Sequence, residues 1–200
     1  MTMKLLMSAP SPFARKVRVM ISELKIDIEE LQVQASPLGG EDALNAANPL
    51  GKIPALVRDS GPTIYDSRVI STYLNDSAQG DLYPNARRTE TMILEATADG
   101  ICDAAVAMVY EARVRDTAQI SHDYIEAQWT KVARALQAIE TRWMSHLHGP
   151  LDMAHIAMGA SLGYLDLRHE DRNWRANAPE LAKWFATFET RPAMMETDPR

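Results

Sequence analysis

The sequence predicts a protein of two parts, a small mixed α/β domain followed by an all-helical domain. Strand and helix patterns alternate over the first 76 residues, where turn residues separate short apolar runs. Beyond residue 86 the apolar residues recur almost only at helical spacing. A chain of 200 residues, of which 46% are hydrophobic, is long enough to bury a sizeable core.

The first elements form a strand, helix, strand unit. An apolar strand is predicted at 4–8, and a helix at 12–24 repeats its apolar residues on one face. Ser11 is the expected N-cap of this helix, and Pro12 suits its first position, where no amide hydrogen is needed. A second strand is predicted at 28–32. Two strands joined through a helix are typically parallel.

The remainder of the α/β domain is predicted to add a hairpin and two helices. In chain order these are a short helix near 41–46, strands at 55–58 and 63–65, and a helix that opens at Asp66 and Ser67. The two strands are expected to be antiparallel, because the intervening Asp-Ser-Gly-Pro sequence favours a tight turn. The domain is therefore predicted to span residues 1–76.

The second part is predicted to be a helical bundle. A linker containing Gly80 and Pro84 is expected at 77–86, and the helical domain at 87–200. Helices are expected at 87–113, from a cap at Ser121 to about 143, at 153–167 after a cap at Asp152, and at 179–190. The helix at 153–167 is apolar almost all round, which predicts a place in the middle of the bundle.

Charge and composition exclude several classes of function. A net charge of -6 disfavours nucleic-acid binding, and the basic group Arg15, Lys16 and Arg18 is expected to be a solvated helix face. No uncharged run approaches the ~18 residues of a membrane span, and the N-terminus lacks the apolar core of a secretion signal. We therefore expect a cytoplasmic protein with neither a nucleic-acid partner nor a membrane partner.

The N-terminus of the first helix is an early candidate for a functional site. Exposed amides and the positive end of the helix dipole can hold an anion there. Ser11 serves equally well as a plain helix cap, and Asp66 with Ser67 presents the same two alternatives at a later helix. These local patterns alone leave capping and ligand binding both open.

Four motifs in a fixed order resemble the cytosolic glutathione transferases, which join a thioredoxin-like domain to a helical domain. The motifs are SPF followed by basic residues at 11–13, NPLGKIPAL at 48–56, YDS at 65–67 and LDMAHIAMGASLGYLD at 151–166. The resemblance covers the whole chain and points to a bacterial member with a serine-type site. It implies that glutathione is a co-substrate and that the protein is a homodimer.

In this family Ser11 would donate a hydrogen bond to the glutathione sulfur and favour the thiolate. Lowering a thiol pKa from about 8.5 to about 6.5 needs about 2.7 kcal/mol. One hydrogen bond to a charged group, about 1.5–3 kcal/mol, plus a helix dipole, about 0.3–1 kcal/mol, supplies that amount.

Ser8 is the alternative hydroxyl. Some relatives have cysteine before Pro-Phe, so Ser11 argues against thiol–disulfide exchange, and the single cysteine, Cys102, is expected to be a buried core thiol.

The resemblance also assigns the rest of the glutathione site. It implies a cis peptide bond between Ile53 and Pro54, with the backbone of Ile53 pairing with the cysteinyl part of glutathione. Lys52 would face the glycyl carboxylate. Asp66 would face the γ-glutamyl ammonium, and Ser67, as a cap hydroxyl with the first free amides, would hold the α-carboxylate.

One motif departs from the family pattern. Relatives usually have Ser or Thr, two residues and then a buried Asp at the start of the central C-terminal helix, whereas this chain has Asp152 and, three positions later, His155. We interpret His155 as a structural substitute that hydrogen-bonds differently. His146 and His148 are near in sequence, but no acidic or thiol partner is expected to complete a ligand set. We therefore predict no metal.

The predicted activity is conjugation of glutathione to a small, hydrophobic electrophile, a detoxification reaction. Met108, Tyr110 and Arg113 are candidates for lining the electrophile site, and a place in the core or on a solvated face is an equal alternative for them. Asp99 or Asp103 is a candidate for reaching across a dimer axis. One alternative is a glutathione-dependent lyase, isomerase or dehalogenase. Another is a non-catalytic binding or regulatory protein with the same fold.

Overall fold

The computed structural model describes residues 3–200 of the chain. Residues 1 and 2, with which the predicted α/β domain begins, lie outside the described residues. A small sheet with its helices forms a thioredoxin-like N-terminal part, and the C-terminal part is helical. This confirms the predicted fold class, whereas the predicted boundaries at 76 and 87 stay predictions.

The N-terminal part is built on a three-stranded sheet of order β2-β1-β3. Its elements are β1 (Lys4–Met7), α1 (Pro12–Leu24), β2 (Glu29–Gln32), α2 (Asp42–Ala47), β3 (Ala55–Val57) and α3 (Ser67–Ser77). Strand β1 is parallel to β2 and antiparallel to β3. The predicted strand at 63–65 is reduced to one bridge between Ile64 and Leu56. Pro62 lacks an amide hydrogen and Asp66 already caps α3, so backbone pairing with β3 cannot continue on either side of Ile64.

The C-terminal part contains six helices within the described residues. They are α4 (Arg88–Val114), α5 (His122–Arg142), α6 (Met144–Leu147), α7 (Met153–Arg168), α8 (Pro179–Phe188) and α9 (Pro192–Glu196). The expected caps Ser121 and Asp152 both accept backbone hydrogen bonds from their helices. The prediction missed α9, because Pro192 starts a new helix as well as preventing continuation of the old one.

Two of these helices, α4 and α5, are long. Even so, no helix in the described part of the chain combines the length and apolar character that crossing a membrane requires.

Helix α7 forms the centre of the helical domain, as its all-round apolar pattern predicts. Residues 153–165 are all buried, and the helix packs against both α4 and α1. Glycine is required where α7 approaches its neighbours most closely. A Cβ at Gly159 would lie 2.5 Å from the ring of Phe188, and one at Gly163 would collide with the guanidinium of Arg15.

A buried polar cluster holds the N-terminus of α7. The carboxylate of Asp152 accepts a backbone hydrogen bond of 3.1 Å from the first turn, and His155 Nδ1 lies 2.7 Å from its Oδ1. His146 Nε2, Arg87 Nε and the Thr91 hydroxyl lie 2.8, 3.0 and 2.9 Å from Oδ2. Asp152 is the N-cap of a capping box, and His155 takes the third helical position, where an acid is usual.

A second buried cluster joins the two parts of the molecule. Lys16 of α1 donates to both carboxylate oxygens of Asp99 at 2.8 Å and to Glu95 at 3.0 Å, both on α4. The Tyr83 hydroxyl, in the segment between the two parts, donates to the other oxygen of Glu95 at 2.8 Å. Burial raises the pKa of Glu95, and Lys16 and Tyr83 oppose that change. The cluster fixes α1 against α4.

The expectation of a solvated basic face on α1 is wrong. Arg15 is only 5% exposed and Lys16 only 1%. Arg15 donates to the carbonyl of Met194 at 2.9 Å, and Arg18 forms an ion pair with Glu30 at 2.9 Å. Arg15 and Lys16 are buried because the helical domain covers that side of α1, whereas Arg18 pairs with a residue of β2.

We predict that Lys16→Met destabilises the protein by about 3–5 kcal/mol, because it leaves two buried carboxylates without their cation. Denaturant unfolding measures the loss. Lys183→Met is the matched control, since Lys183 forms an exposed ion pair with Glu180 and its loss should cost less than about 1 kcal/mol. Adding Glu95→Gln and Asp99→Asn to Lys16→Met should recover part of the stability. A Lys16→Met protein as stable as the control would contradict this role.

We also predict a pH-dependent contribution from Asp152. Burial disfavours its ionisation, but hydrogen bonds and charge from His155, Thr91 and His146 lower its pKa to about 2. A carboxyl whose folded pKa is depressed stabilises the fold above its unfolded pKa, about 3.9, and loses that effect as pH falls towards 2. The contribution at neutral pH is about 2–3 kcal/mol.

Unfolding of wild type and Asp152→Asn from pH 7 to pH 3 tests this contribution. The stability gap between them should narrow below about pH 4. Asp116→Asn, at an exposed position, should show a small gap at every pH. A gap for Asp152→Asn that is the same at pH 7 and pH 3 would rule out the charge as its source.

Candidate functional site

A cleft of about 880 Å³ lies between the N-terminal part and helices α4 and α7. It is lined by all six predicted site residues, Ser11, Lys52, Ile53, Pro54, Asp66 and Ser67. They come from three separate segments, the start of α1, the loop before β3 and the start of α3. The structure thus gathers into one cleft residues that are up to 56 positions apart in the sequence.

Ser11 is the N-cap of α1, and its side chain is still able to donate. Its backbone is extended (φ -75°, ψ 121°), and its hydroxyl oxygen accepts a hydrogen bond from the Ala14 amide at 3.3 Å. A hydroxyl carries one proton besides its acceptor positions. Capping uses an acceptor position, so the proton remains available to a ligand in the cleft. The hydroxyl also stands at the positive end of the α1 dipole.

Ser8 lines the same cleft directly after β1. Its hydroxyl accepts a hydrogen bond from Gln32 Nε2 at 3.2 Å, and its carbonyl accepts one from the Ser11 amide at 3.0 Å. Ser8 is thus part of the turn that places Ser11. Both hydroxyls remain candidates for contact with a ligand.

The loop before β3 presents an open backbone edge. Asn48, only 2% exposed, holds the loop by donating to the Lys52 carbonyl at 2.8 Å and accepting from the Leu50 amide at 3.0 Å. Gly51 takes a φ of +60°, which favours glycine. The Ile53–Pro54 peptide bond is cis, as the family resemblance implies. Among the described residues nothing pairs with the backbone of Ile53, which is available for an added strand.

The start of α3 supplies an acid and free amides. Asp66, not Ser67, is the capping residue, because its Oδ1 accepts from the Arg68 amide at 3.0 Å. Ser67 is the first helical residue and is 3% exposed. The peptide bond between Tyr65 and Asp66 is cis. Burial opposes ionisation of Asp66, but the hydrogen bonds and positive charge of Arg68 hold its pKa below the usual value.

Sequence reasoning missed the charges that surround Asp66. Arg68 Nη2 lies 3.0 Å from Asp66 Oδ2, and its Nε lies 3.7 Å from Asp99 Oδ2. Asp99 is in turn held by Lys16, so it pairs within its own chain. The available signal was Lys16, which lies three residues after Phe13 and four before Met20 on the apolar face of α1.

The other end of the cleft is formed by α4 and α7. Of the three candidates, Tyr110 and Arg113 line it, whereas Met108 is 4% exposed and belongs to the core, the alternative that the sequence left open. Met108 lies on the side of α4 that packs into the core, although its neighbours Ala107 and Val109 line the cleft. Tyr164 and Arg168 of α7 complete this end, and sequence reasoning did not find them.

The histidine cluster is separate from the cleft. The ligand atoms of His146, Asp152 and His155 lie within 4.8 Å of one another, so the inference that no acid joins the histidines is wrong. His148 is not part of this group. These atoms already hydrogen-bond to each other, and Arg87 lies 3.0 Å from Asp152, where its charge would oppose a cation. The absence of a metal stays a prediction.

Cys102 offers no chemistry to the cleft. It is 3% exposed on α4, and burial raises the pKa of its thiol to about 12. A thiol in this environment is protonated at neutral pH and inert. The reading of Cys102 as a core residue is confirmed.

Comparison with known proteins identifies the family. The family model described as the glutathione S-transferase N-terminal domain matches residues 10–77, and the one described as the C-terminal domain matches residues 123–187. An uncharacterized GST-like protein, YibF, from Escherichia coli (strain K12) is 30% identical over an alignment of 202 positions that covers 98% of each chain. The chain belongs to the glutathione S-transferase family.

Solved structures agree with this assignment over the whole chain. A glutathione transferase family member from Pseudomonas fluorescens Pf-5, solved with bound glutathione, is 38% identical and covers 100% of both chains with a TM-score of 0.96. A structure from the same organism with bound S-(propanoic acid)-glutathione is 37% identical over 100% of both chains, with a TM-score of 0.91. Glutathione is therefore bound by proteins closely similar to this one.

Proposed function

We propose that this protein is a glutathione transferase that uses Ser11 to activate the glutathione thiol. The observation that carries the proposal is the position of the Ser11 hydroxyl, which lines the cleft at the N-terminus of α1 with its proton unused by capping. That hydroxyl donates to the sulfur and favours the thiolate, which is the nucleophile. The positive end of α1 adds to the same effect.

The rest of the cleft matches the polar groups of the tripeptide. Lys52 faces the glycyl carboxylate, and the unpaired backbone of Ile53, beside cis-Pro54, binds the cysteinyl part as an added strand. Asp66 accepts from the γ-glutamyl ammonium, since each of its oxygens keeps a second acceptor position. Ser67 and the first amides of α3 hold the α-carboxylate. The bound glutathione in the Pseudomonas fluorescens relative supports this arrangement.

In the proposed reaction the thiolate sulfur forms a bond to an electrophilic carbon. The thiol proton leaves to solvent when glutathione binds, and a leaving group such as halide departs with the electron pair of the broken bond. Ser11 keeps its own proton throughout, because it acts as a hydrogen-bond donor and not as a base. No metal is needed, and the co-substrate is glutathione alone.

A second candidate uses the same site for more specialised chemistry. The S-(propanoic acid)-glutathione bound by a relative is a thioether of glutathione with a small acid, which favours a glutathione-dependent lyase, isomerase or dehalogenase acting on such acids. The third reading, a non-catalytic binding or regulatory protein, shares the fold and lacks turnover.

We propose that the protein is a cytoplasmic homodimer with a role in detoxification. Cytoplasm is the compartment where glutathione keeps thiols such as Cys102 reduced. Exposed apolar side chains on α3 and α4 support a dimer, since Val69, Met92 and Ile93 are 53%, 51% and 47% exposed. Asp103, which also lines the cleft, is the acid left free to contact a partner subunit.

Retention on immobilised glutathione, followed by assays with aryl halides, epoxides and ether-linked aromatics, tests the proposed activity. Retention with conjugation of at least one general electrophile supports the transferase. Retention with turnover of specialised small acids alone supports the second candidate. A folded protein that neither binds glutathione nor turns over any substrate would exclude both.

We predict that Ser11→Ala raises the pKa of bound glutathione by about 1–2 units, because one hydrogen bond to a charged group is lost. Thiolate absorbance as a function of pH measures the shift. Ser8→Ala is the matched control, since it removes a neighbouring hydroxyl from the same cleft. A shift for Ser8→Ala and none for Ser11→Ala would move the role to Ser8.

We predict that Asp66→Asn weakens glutathione binding about tenfold while leaving the thiol pKa nearly unchanged, because it removes a charge facing the ammonium. Asparagine is as good an N-cap as aspartate, so α3 should remain intact. Calorimetry measures the affinity, and Asp42→Asn, at an exposed position outside the cleft, is the control. Wild-type affinity in Asp66→Asn would remove Asp66 from the site.

A further inference from the structure

The cleft has opposite charges at its two ends, and one face of α4 shows this directly. The residues of α4 that line the cleft include Asp99, Asp103, Val106, Tyr110 and Arg113, which recur every three or four positions. At 1.5 Å per residue, Arg113 lies about 15 Å along the helix from Asp103 and about 21 Å from Asp99. The acidic end adjoins Asp66, where the γ-glutamyl group is proposed to bind. The other end is basic.

The basic end contains two arginines and two tyrosines. Tyr110 and Arg113 of α4 and Tyr164 and Arg168 of α7 all line the cleft, and the two helices pack against each other. Neither Arg113 nor Arg168 forms an ion pair or hydrogen bond with any residue in the range 3–200. Both arginines line the cleft from helices that pack against each other, and an anion bound there would be attracted by both charges.

Position relative to the sulfur connects this end to the reaction. Tyr164 and Ser11 line a small depression together with Pro10 and Arg15, and both also line the cleft, so Tyr164 is near the residue proposed to hold the thiolate. Arg168 follows Tyr164 by four residues, which is one helical turn or about 6 Å. A group bound by the arginines is therefore close enough to belong to the same small molecule that the sulfur attacks.

Resting on the proposed function, we infer that the second substrate is an electrophile with a planar apolar body and an anionic group, such as a carboxylate, held by Arg113 and Arg168. Tyr110 and Tyr164 contact the planar body, and the two guanidinium groups bind the anion through charge-assisted hydrogen bonds. The net charge of -6 repels anions from the protein as a whole, so this pair supplies the local attraction. The helix dipoles explain cations in the last turns of α4 and α7, but not why both face the cleft.

A matched pair of electrophiles probes this preference. In 4-chloro-3-nitrobenzoate and 4-chloro-3-nitrobenzamide, the thiolate sulfur bonds to the chlorine-bearing carbon, chloride leaves with the electron pair, and the thiol proton goes to solvent. The two differ only in carboxylate against carboxamide. Calorimetry with the two glutathione conjugates measures the preference by binding, without requiring turnover.

We expect the wild type to bind the carboxylate conjugate at least about tenfold more tightly than the carboxamide conjugate. Arg113→Gln and Arg168→Gln should each lose most of this preference while binding glutathione as before. Arg134→Gln, at an exposed position on α5 outside the cleft, should retain it.

Three results would overturn the inference. Equal binding of both conjugates, with normal glutathione affinity, would refute the anionic electrophile and leave the proposed function intact. Loss of glutathione affinity in the two arginine variants would assign these side chains to glutathione itself. A wild type that binds neither glutathione nor either conjugate would refute the proposed function together with the inference.

Discussion

The buried cation of Lys16 sets the geometry on which the rest of the molecule depends. It joins α1, which carries Ser11, to α4, which forms one wall of the cleft. Because Lys16 is only 1% exposed, its charge is tolerable only with both carboxylates in place, and that requirement fixes how the two parts are positioned. Through Asp99 the same cluster reaches Arg68 and Asp66 at the far end of the cleft. The charged residues that hold α1 against α4 are therefore linked through ion pairs to the charged residues of the cleft.

Helix capping and ligand binding are compatible uses of the same groups. Ser11 caps α1 through its oxygen and keeps its proton, while Asp66 caps α3 and keeps free acceptor positions towards the cleft. The loop held by Asn48 adds an open backbone edge between them. These three features need no catalytic group beyond a hydroxyl, because the chemistry assigned to the site is stabilisation of a thiolate and orientation of a tripeptide.

Local patterns were enough to predict much of this structure. The caps Ser11, Ser121 and Asp152 and the parallel pairing of β1 with β2 follow from residues close together in the sequence, and they are as predicted. The errors concern long-range partners. Lys16 was read as solvated because Glu95 and Asp99 lie 79 and 83 residues away. The six predicted site residues came from a family resemblance, whereas Arg68, Tyr164 and Arg168 belong to the cleft only through tertiary structure.

The central claim is that glutathione binds in this cleft with its sulfur at Ser11. A crystal structure of the protein soaked with glutathione tests it most directly, since it shows the neighbours of the sulfur without assuming any activity. We expect the sulfur within hydrogen-bonding distance of the Ser11 hydroxyl, with the γ-glutamyl group at Asp66 and Ser67. A sulfur bonded to Ser8 instead, or a tripeptide bound outside the cleft, would contradict it.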